Sequence, residues 1–462
     1  MMTPMMDLLA AARATAGTVV GDNVGFCGVS TDTRSLAPGE LFIALRGDKF
    51  NGHDYVATAQ EKGAAAAIVD SAAASHLRDL KLPLVEVAET RLSLGALAAD
   101  WRSRFQLPLV AVTGSNGKTT TKEMIASILA AAYGSAVLAT QGNYNNDIGL
   151  PLTLLKLHGE HRAAIVEMGM NRPGEIAYLA GIARPTVALV TNAQRAHLAG
   201  MGSLEAIAAE KGTIFTGLDE RGVAVFSADE PWRALWCAQS RGLRIVTFAF
   251  GNEADVRGKC QMHGLESRLN IVTRDGEAVE VVLALPGRHN AHNALAAAAA
   301  ALAAGVSLAA VQAGLNAFRG LKGRLQQRLA MHGAVLLDDT YNANPDSVRA
   351  GIDVLAATVG KKMLVLGDMG EIGEMSAQFH DEIGGYAKSQ GVDRLFALGD
   401  ASALAARNFG SGGEHYSSLE PLLAALTTEL TAETTVLVKG SRFMRMERVA
   451  DAIAVPCAGE NT

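Results

Sequence analysis

The chain has little of what would commit it to a membrane, a disulfide framework or nucleic acid. Only four cysteines occur among 462 residues: Cys27, Cys237, Cys260 and Cys457, far apart and without a CxxC pair. Scattered thiols fit a reducing compartment better than a disulfide framework, and no zinc-ligand spacing appears. Excess positive charge is also missing, with 41 Lys plus Arg against 47 Asp plus Glu and a net charge of −6. That balance gives no electrostatic reason to expect nucleic acid or an anionic membrane as main partner. Small anions stay in play, because a few local cations and helix ends suffice for them. The longest apolar run, 294–304, is alanine-rich and well short of the ~20 residues a bilayer span needs. No basic segment precedes the apolar residues near the start, which argues against a secretory signal. No internal repeat is found, and the alanine bias is ordinary helix filling. The expectation is a soluble, cytoplasmic protein.

What is present is enough apolar sequence for several cores. Hydrophobic residues make up 49% and charged residues 19%, and at about 150 residues per domain the length suggests three domains. Past residue 105, β-branched runs alternate with longer alanine-rich stretches, the mark of βαβ units and a largely parallel sheet. Strands are expected at 109–112, 163–168, 187–192 and 222–226. A hairpin is expected over 268–273 and 278–285 around Arg274-Asp275-Gly276, then a helix over 289–304. A second alternating series, with strands at 334–338, 363–366, 394–398 and 435–438, predicts a separate doubly wound domain. The first 85 residues, rich in turn signals, predict a small α/β domain. The fold class is therefore α/β in three domains: 1–85, a central 86–320 and a C-terminal 321–462, with 320–324 as linker.

The sharpest local signal is a hydrophobic strand, Val110-Ala111-Val112, running into Thr113-Gly114-Ser115-Asn116-Gly117-Lys118-Thr119-Thr120 and then a helix. Glycines let backbone N–H groups curl round phosphate oxygens, and the helix N-terminus adds its positive dipole end. Lys118 would reach the terminal phosphates and the Thr119 hydroxyl would ligate Mg²⁺. The standard spacing asks for glycine six residues before Lys118, where Val112 stands. Three further residues are ambiguous alone. Glu167 ends an apolar strand, where an acid is either a metal ligand or a solvated terminus. His197 lies in a loop and reads as surface decoration or as a ligand. Lys211, inside a helical pattern, reads by itself as an exposed helix charge.

Taken in order, these segments resemble the Mur ligases and their folylpolyglutamate synthetase relatives, ATP-dependent amide-forming enzymes whose phosphate loop lacks the early glycine. The loop, Glu167, His197, Lys211 and Pro286-Gly287-Arg288-His289-Asn290-Ala291-His292-Asn293 match over nearly the whole chain. Three more segments resemble the member that adds a D-alanyl-D-alanine dipeptide. One comprises Ser30-Thr31-Asp32-Thr33-Arg34, the run 38–45 and Gly52-His53-Asp54, although Asn51 stands where aspartate is usual. The second is 142–153. The third joins 322–325, 338–345 and 438–442. The relative that adds the third peptide residue typically carries Asp-Asn-Pro-Arg, which this chain lacks.

The resemblance implies a small N-terminal UDP-substrate domain, a central ATPase-like P-loop domain and a Rossmann-like C-terminal domain. It implies ATP, UDP-N-acetylmuramoyl-tripeptide and D-Ala-D-Ala as substrates, an acyl-phosphate intermediate and a monomer. Gly114 to Thr120 would hold the ATP phosphates. Thr119 and Glu167 would bind one Mg²⁺; His197 and a carbamoylated Lys211 would bind a second. Burial beside cations would supply the neutral amine that carbamoylation needs, since lysine's ordinary pKa is about 10.4. Asn290 and Asn293 would read adenine, Asp339 the ribose, and Arg324 the terminal phosphate once the domains close. Ser30, Asp32 and Arg34 resemble uridine-diphosphate contacts. Asn143, Asn145 and Asn146 are expected at the peptide-bearing substrate, and Lys439, Ser441 and Arg442 on the C-terminal side of the site.

Overall fold

The computed structural model describes residues 4–47, 49–77 and 79–455, so Cys457 lies outside the described residues. Among the described residues a small antiparallel pair, Met6–Asp7 with Gly25–Phe26, accompanies three larger sheets that follow one another along the chain. The first has five strands in the order Thr18–Val20, Leu84–Val87, Ala66–Asp70, Leu41–Ile43, Val29–Ser30; all pairs are parallel except the first. Because Leu84–Val87 pairs inside this sheet, the first unit runs past residue 85, and the helix Thr90–Ser103 carries the chain onward.

The central sheet has nine strands. Its parallel part runs Arg244–Ala249, Val223–Ser227, Val187–Val190, Leu109–Thr113, Ala163–Glu167, Val137–Ala139. The expected hairpin is present as Glu266–Thr273 and Ala278–Leu283. Val256–His263 joins it antiparallel while pairing parallel with Arg244–Ala249, so the hairpin extends the sheet. Leu109–Thr113 lies between the strands that follow it on either side, Ala163–Glu167 and Val187–Val190. The strand order reverses there, and ligands of open α/β sheets bind at the carboxyl ends of strands at such a point. Val112, the departure from the loop pattern, is a fully buried residue of this strand, so the turn begins only at Gly114.

The alanine run sits in the helix Arg288–Ala303, where Ala294 and Ala296 to Ala301 are fully buried against the sheet. Small side chains permit that close approach. A similar approach holds at Gly314, where a Cβ would lie 2.4 Å from the Ile128 Cα of the helix Lys118–Tyr133. Among the described residues no helix is long and apolar enough to cross a membrane.

The third sheet runs Gln326–Leu329, Val335–Asp339, Thr434–Lys439, Lys361–Gly367, Arg394–Leu398, Gly413–Tyr416, parallel after the first pair. Its last strand inserts between the second and third, which sets Asp339 and Lys439 side by side. One apolar core runs continuously from Leu8 and Val85 through Leu94 and Leu97 to Val166 and Trp236, tying the N-terminal sheet to the central one. The C-terminal sheet has cores of its own. The packing thus joins the first two units and leaves the third as a body docked through its surface.

Candidate active site

The carboxyl ends of the central and C-terminal sheets face each other across a cleft of about 640 Å³. The phosphate loop forms its floor. Gly117, at φ +78°, has room for no side chain, since a Cβ would lie 2.2 Å from Asn293 Oδ1; Gly114 is similarly closed by Thr191 Oγ1. The next strand's exit fastens the loop: Ser115 N donates to the Asn192 carbonyl at 3.0 Å and Asn116 N to Asn192 Oδ1 at 2.9 Å. Thr191 Oγ1 and Asn192 Nδ2 both donate to the Asn116 carbonyl. These anchors were not legible in the sequence: Thr191-Asn192 fell inside the expected strand 187–192, which in the structure ends at Val190. Lys118 Nζ donates to the carbonyls of Gly114 and Ser115, at 2.8 and 3.2 Å. Burial, and the nearby charge of Arg324, lower its pKa, while Glu167 opposes the shift.

Ser115, Asn116, Thr119 and Thr120 line the cleft with Lys118, and so do Asn145, Asn146, Glu167 and His197. Glu167 is 2% exposed; its Oε1 accepts from Asn145 Nδ2 at 2.8 Å, whereas its Oε2 is buried with no hydrogen bond. An orphaned carboxylate oxygen beside the loop suits a hard cation, which stays partly hydrated and takes few protein ligands. Among the described residues no group of three or more His, Cys, Asp or Glu gathers into a metal cage. Thr119 Oγ1 and Glu167 Oε2 therefore fit one Mg²⁺ completed by phosphate and water.

His197 adopts φ +60° and its Nδ1 lies 3.1 Å from Glu371 Oε2, a residue of the C-terminal unit at φ +61°. Lys211 corrects the plain reading of its helix: it is 1% exposed, not a surface charge. Burial first, then the charge of Lys118, drives its pKa well below the ordinary lysine value, against the pull of Glu210. Lys211 lies behind the cleft wall, not on it.

The C-terminal unit contributes Arg324, Asp339, Tyr341, Asn344 and Lys439 to the same cleft. Arg324 crosses the 205-residue separation to donate from Nη2 to Thr119 Oγ1 at 3.0 Å, its guanidinium 4.1 Å over the Tyr341 ring. Asp339 Oδ2 accepts from Lys439 Nζ at 2.5 Å, so the expected ribose acceptor and the expected substrate contact are each other's partners. Asn344 and Asn116 exchange amide hydrogen bonds across the junction.

Behind the loop a second cavity of about 380 Å³ is lined by Asn116, Gly117, Asn293, His292, Phe250 and Glu230, among others. Burial pushes Glu230 up to about 7 and holds His292 down to about 4. Asn290 is placed otherwise than expected: it lines neither cavity. Its amide donates to the Pro286 carbonyl and its Oδ1 accepts from Asn293, so it orients Asn293.

Several expected contacts are not brought to the cleft. Asn143 is exposed and lines neither cavity. Ser441 is buried, accepting from Gly370 N and donating to the Ala343 carbonyl, while Arg442 points to Glu447. Ser30, Asp32 and Arg34 form a self-contained turn on the N-terminal sheet. There Arg34 grips the Asp32 carboxylate and holds its pKa at about 2. Missed by the sequence reading are Arg91 and Asp147, ion-paired at the N-terminal end of the cleft, and Tyr178, His289 and Glu371.

Comparison with known proteins agrees with this arrangement along the whole chain. Residues 26–102 match the model of the Mur ligase family catalytic domain, 112–301 the Mur ligase middle domain, and 323–442 the Mur ligase glutamate ligase domain. The UDP-N-acetylmuramoyl-tripeptide–D-alanyl-D-alanine ligase of Escherichia coli (strain K12) is 40% identical over 443 residues, covering 95% of this chain and 96% of that protein. A crystal structure of MurF from Acinetobacter baumannii superposes with a TM-score of 0.89 at 34% identity, covering 97% and 99% of the two chains. MurF ligase from Thermotoga maritima in complex with ADP gives 0.80 at 27% identity, with 92% and 96% covered. With a phosphate loop, a facing arginine and these likenesses over nearly its full length, the chain belongs to the Mur ligase family.

Proposed function

We propose that this chain is an ATP-dependent amide ligase that joins D-Ala-D-Ala to UDP-N-acetylmuramoyl-tripeptide, giving the UDP-pentapeptide precursor of peptidoglycan. The relatives named for that activity, matched end to end, support the substrate assignment. The geometric observation that carries the chemistry is the meeting, in one cleft, of Lys118 and Glu167 of the central unit with Arg324 of the C-terminal unit.

Joining a carboxylate to an amine in water is uphill, and a carboxylate is a poor electrophile. In the first step a carboxylate oxygen of the tripeptide attacks the terminal phosphorus of ATP; the bond to ADP breaks and an acyl phosphate forms. The neutral amine of D-Ala-D-Ala then attacks the acyl carbon. The tetrahedral intermediate collapses as the C–O bond to phosphate breaks, and the amine's protons leave to solvent. Anionic groups meet in both steps, so catalysis is positioning plus electrostatic stabilisation.

The loop amides and Lys118 hold the phosphates, and Asn293, steadied by Asn290, faces the nucleoside cavity. Arg324 moves from Thr119 to the terminal phosphate, where arginines in phosphoryl transfer contribute roughly 10³–10⁵ in rate. Thr119 and Glu167 would hold one Mg²⁺; a second would fall to His197 together with a carbamate on Lys211, whose added carboxylate would have to extend from behind the cleft wall. Ions held there would supply positive charge for the phosphoryl and acyl oxygens. The Lys211 environment supports the carbamate, because a buried amine beside Lys118 is kept neutral and nucleophilic. Asn145 and Asn146 face the acceptor peptide, and Asp339 with Lys439 closes the C-terminal side. The N-terminal sheet, with Ser30, Asp32 and Arg34, carries the UDP end. The protein works as a monomer in the cytoplasm.

The test is phosphate release in the presence of UDP-muramoyl-tripeptide. D-Ala-D-Ala should stimulate release and appear in the product, and single amino acids should not. Stimulation by a free amino acid instead would reassign the chain to the preceding ligation. Hydrolysis indifferent to every acceptor would make it a nucleotide switch.

A further inference from the structure

Resting on the ligase reading, we infer that Glu371 is the group that receives the ammonium of the incoming amine substrate. Among the described residues five carboxylates line the cleft: Asp147, Glu167, Glu175, Asp339 and Glu371. Four already have work. Asp147 is ion-paired with Arg91, and Asp339 is bonded to Lys439 at 2.5 Å. Glu175 accepts from the backbone N–H groups of Asn171 and Arg172. Glu167 is buried beside the phosphate loop and bonded to Asn145. Among the described lining carboxylates Glu371 is the one with an exposed side chain, 66% accessible, and its side-chain partner is His197 Nδ1 at 3.1 Å.

Its placement is also constrained. Glu371 belongs to the loop after the strand Lys361–Gly367, at φ +61°, a conformation unfavourable for a residue with a β-carbon. The loop is fixed by Ser441, which takes the N–H of Gly370 at 2.7 Å and gives its own to the Asp368 carbonyl. Glu371's own carbonyl accepts from Ala199 N on the central unit at 3.4 Å. Residues held in sparsely populated backbone regions gather where a site needs a group in one position. Here two such residues, His197 and Glu371, face each other across the domain junction. Glu371, on the C-terminal unit, lines the same cleft as Lys118 of the phosphate loop. An ammonium held there is beside the carboxyl group that ATP activates. The dipeptide is cationic at only one end, and Glu371 is the one lining carboxylate of the C-terminal unit free to match it.

The experiment is steady-state kinetics of the full chain carrying Glu371→Gln, which keeps the hydrogen bond to His197 and removes the charge. The KM for D-Ala-D-Ala should rise about ten- to hundredfold, the span of a charge-assisted hydrogen bond. The KM values for ATP and UDP-tripeptide should stay as in the parent, and Glu371→Asp should recover part of the loss. N-acetyl-D-Ala-D-Ala, which has no ammonium, should inhibit parent and Glu371→Gln equally. An unchanged dipeptide KM, an equal rise in the KM for ATP, or weaker inhibition of the variant by the acetylated dipeptide would each overturn the assignment. A parent enzyme that ligates no D-Ala-D-Ala would overturn the ligase reading itself, and with it this one.

Discussion

At the scale of single residues, Lys211 shows how much its surroundings decide. Its neighbour Glu210 does not neutralise it. Glu210 is used up on the N–H groups of Gly174 and Ile176, at the start of the helix Glu175–Ala183. Among the described residues Lys211 makes no ion pair, and burial favours its neutral form. Because the folded pKa lies below the unfolded value, the unfolded chain binds more protons in between, and stability rises with pH across that window. A lysine that weakens the fold at neutral pH is explained by chemistry. Lys211→Ala should cut ligation by about 10²–10³-fold, with added acetate or formate restoring part of it. Lys211→Met should lose activity while its urea midpoint at pH 7 stays level or rises. Full turnover in Lys211→Ala would remove the carbamate from the mechanism.

At the scale of elements, the helix Arg288–Ala303 combines packing and recognition. Its alanine face lies on the sheet, and its first turns present His289, His292 and Asn293 to the cavities. Burial, reinforced for His289 by the charge of Lys439 and for His292 by that of Arg288, holds both histidines at about 4. With folded values below the ordinary 6.5, both add stability above that pH, and it is lost as pH falls toward 4. Urea unfolding measured from pH 7 to 4 should show that decline. His292→Phe, whose ring suits the contacts with Phe248 and Phe250, should flatten it by about 1–2 kcal/mol. An identical pH dependence in the variant would show that His292 is not one of the groups responsible.

At the scale of the whole molecule, the first two units share a core, and the third is held at its junction by polar contacts together with Leu198 and Leu265 packed against its core. Arg195 carries most of the polar contacts. Its backbone N, Nε and Nη2 donate to the Asp346 carboxylate at 2.6–3.0 Å, and Nη1 donates to Glu382, which Arg349 also engages. The same guanidinium lies 5.1 Å from the Phe379 ring centre. Half-buried ion pairs of this kind cost most when one partner is removed, since the other charges stay behind. Arg195→Ala should therefore enlarge the radius of gyration seen by small-angle scattering and lower turnover about tenfold. Unchanged scattering would mean that the remaining junction contacts, among them Asn116–Asn344, Arg324–Thr119 and His197–Glu371, suffice to hold the domain.

How much could be foreseen follows from where each property is encoded. The strands at 109–113, 163–167 and 187–190 were legible because buried parallel strands are written as short β-branched runs. The loop at 114–119 was legible because its glycines leave no room for substitution and its lysine follows at fixed spacing. Val137–Ala139 and Gly413–Tyr416 escaped, being three- and four-residue edge strands too short to show a period, and the first unit's end at 85 cut through a strand. The properties of Lys211, Asp339 and Glu371 were not written locally. Burial, orphaned oxygens and ion-pair partners are set by residues 20 to 200 positions away, brought together only when two sheets present their carboxyl ends to one another. Chain order alone settled which chemistry the residues can perform, since reactive groups and turn-forming glycines are local. Which of those groups stand free to perform it was settled by packing, because charge and solvation depend on neighbours in space.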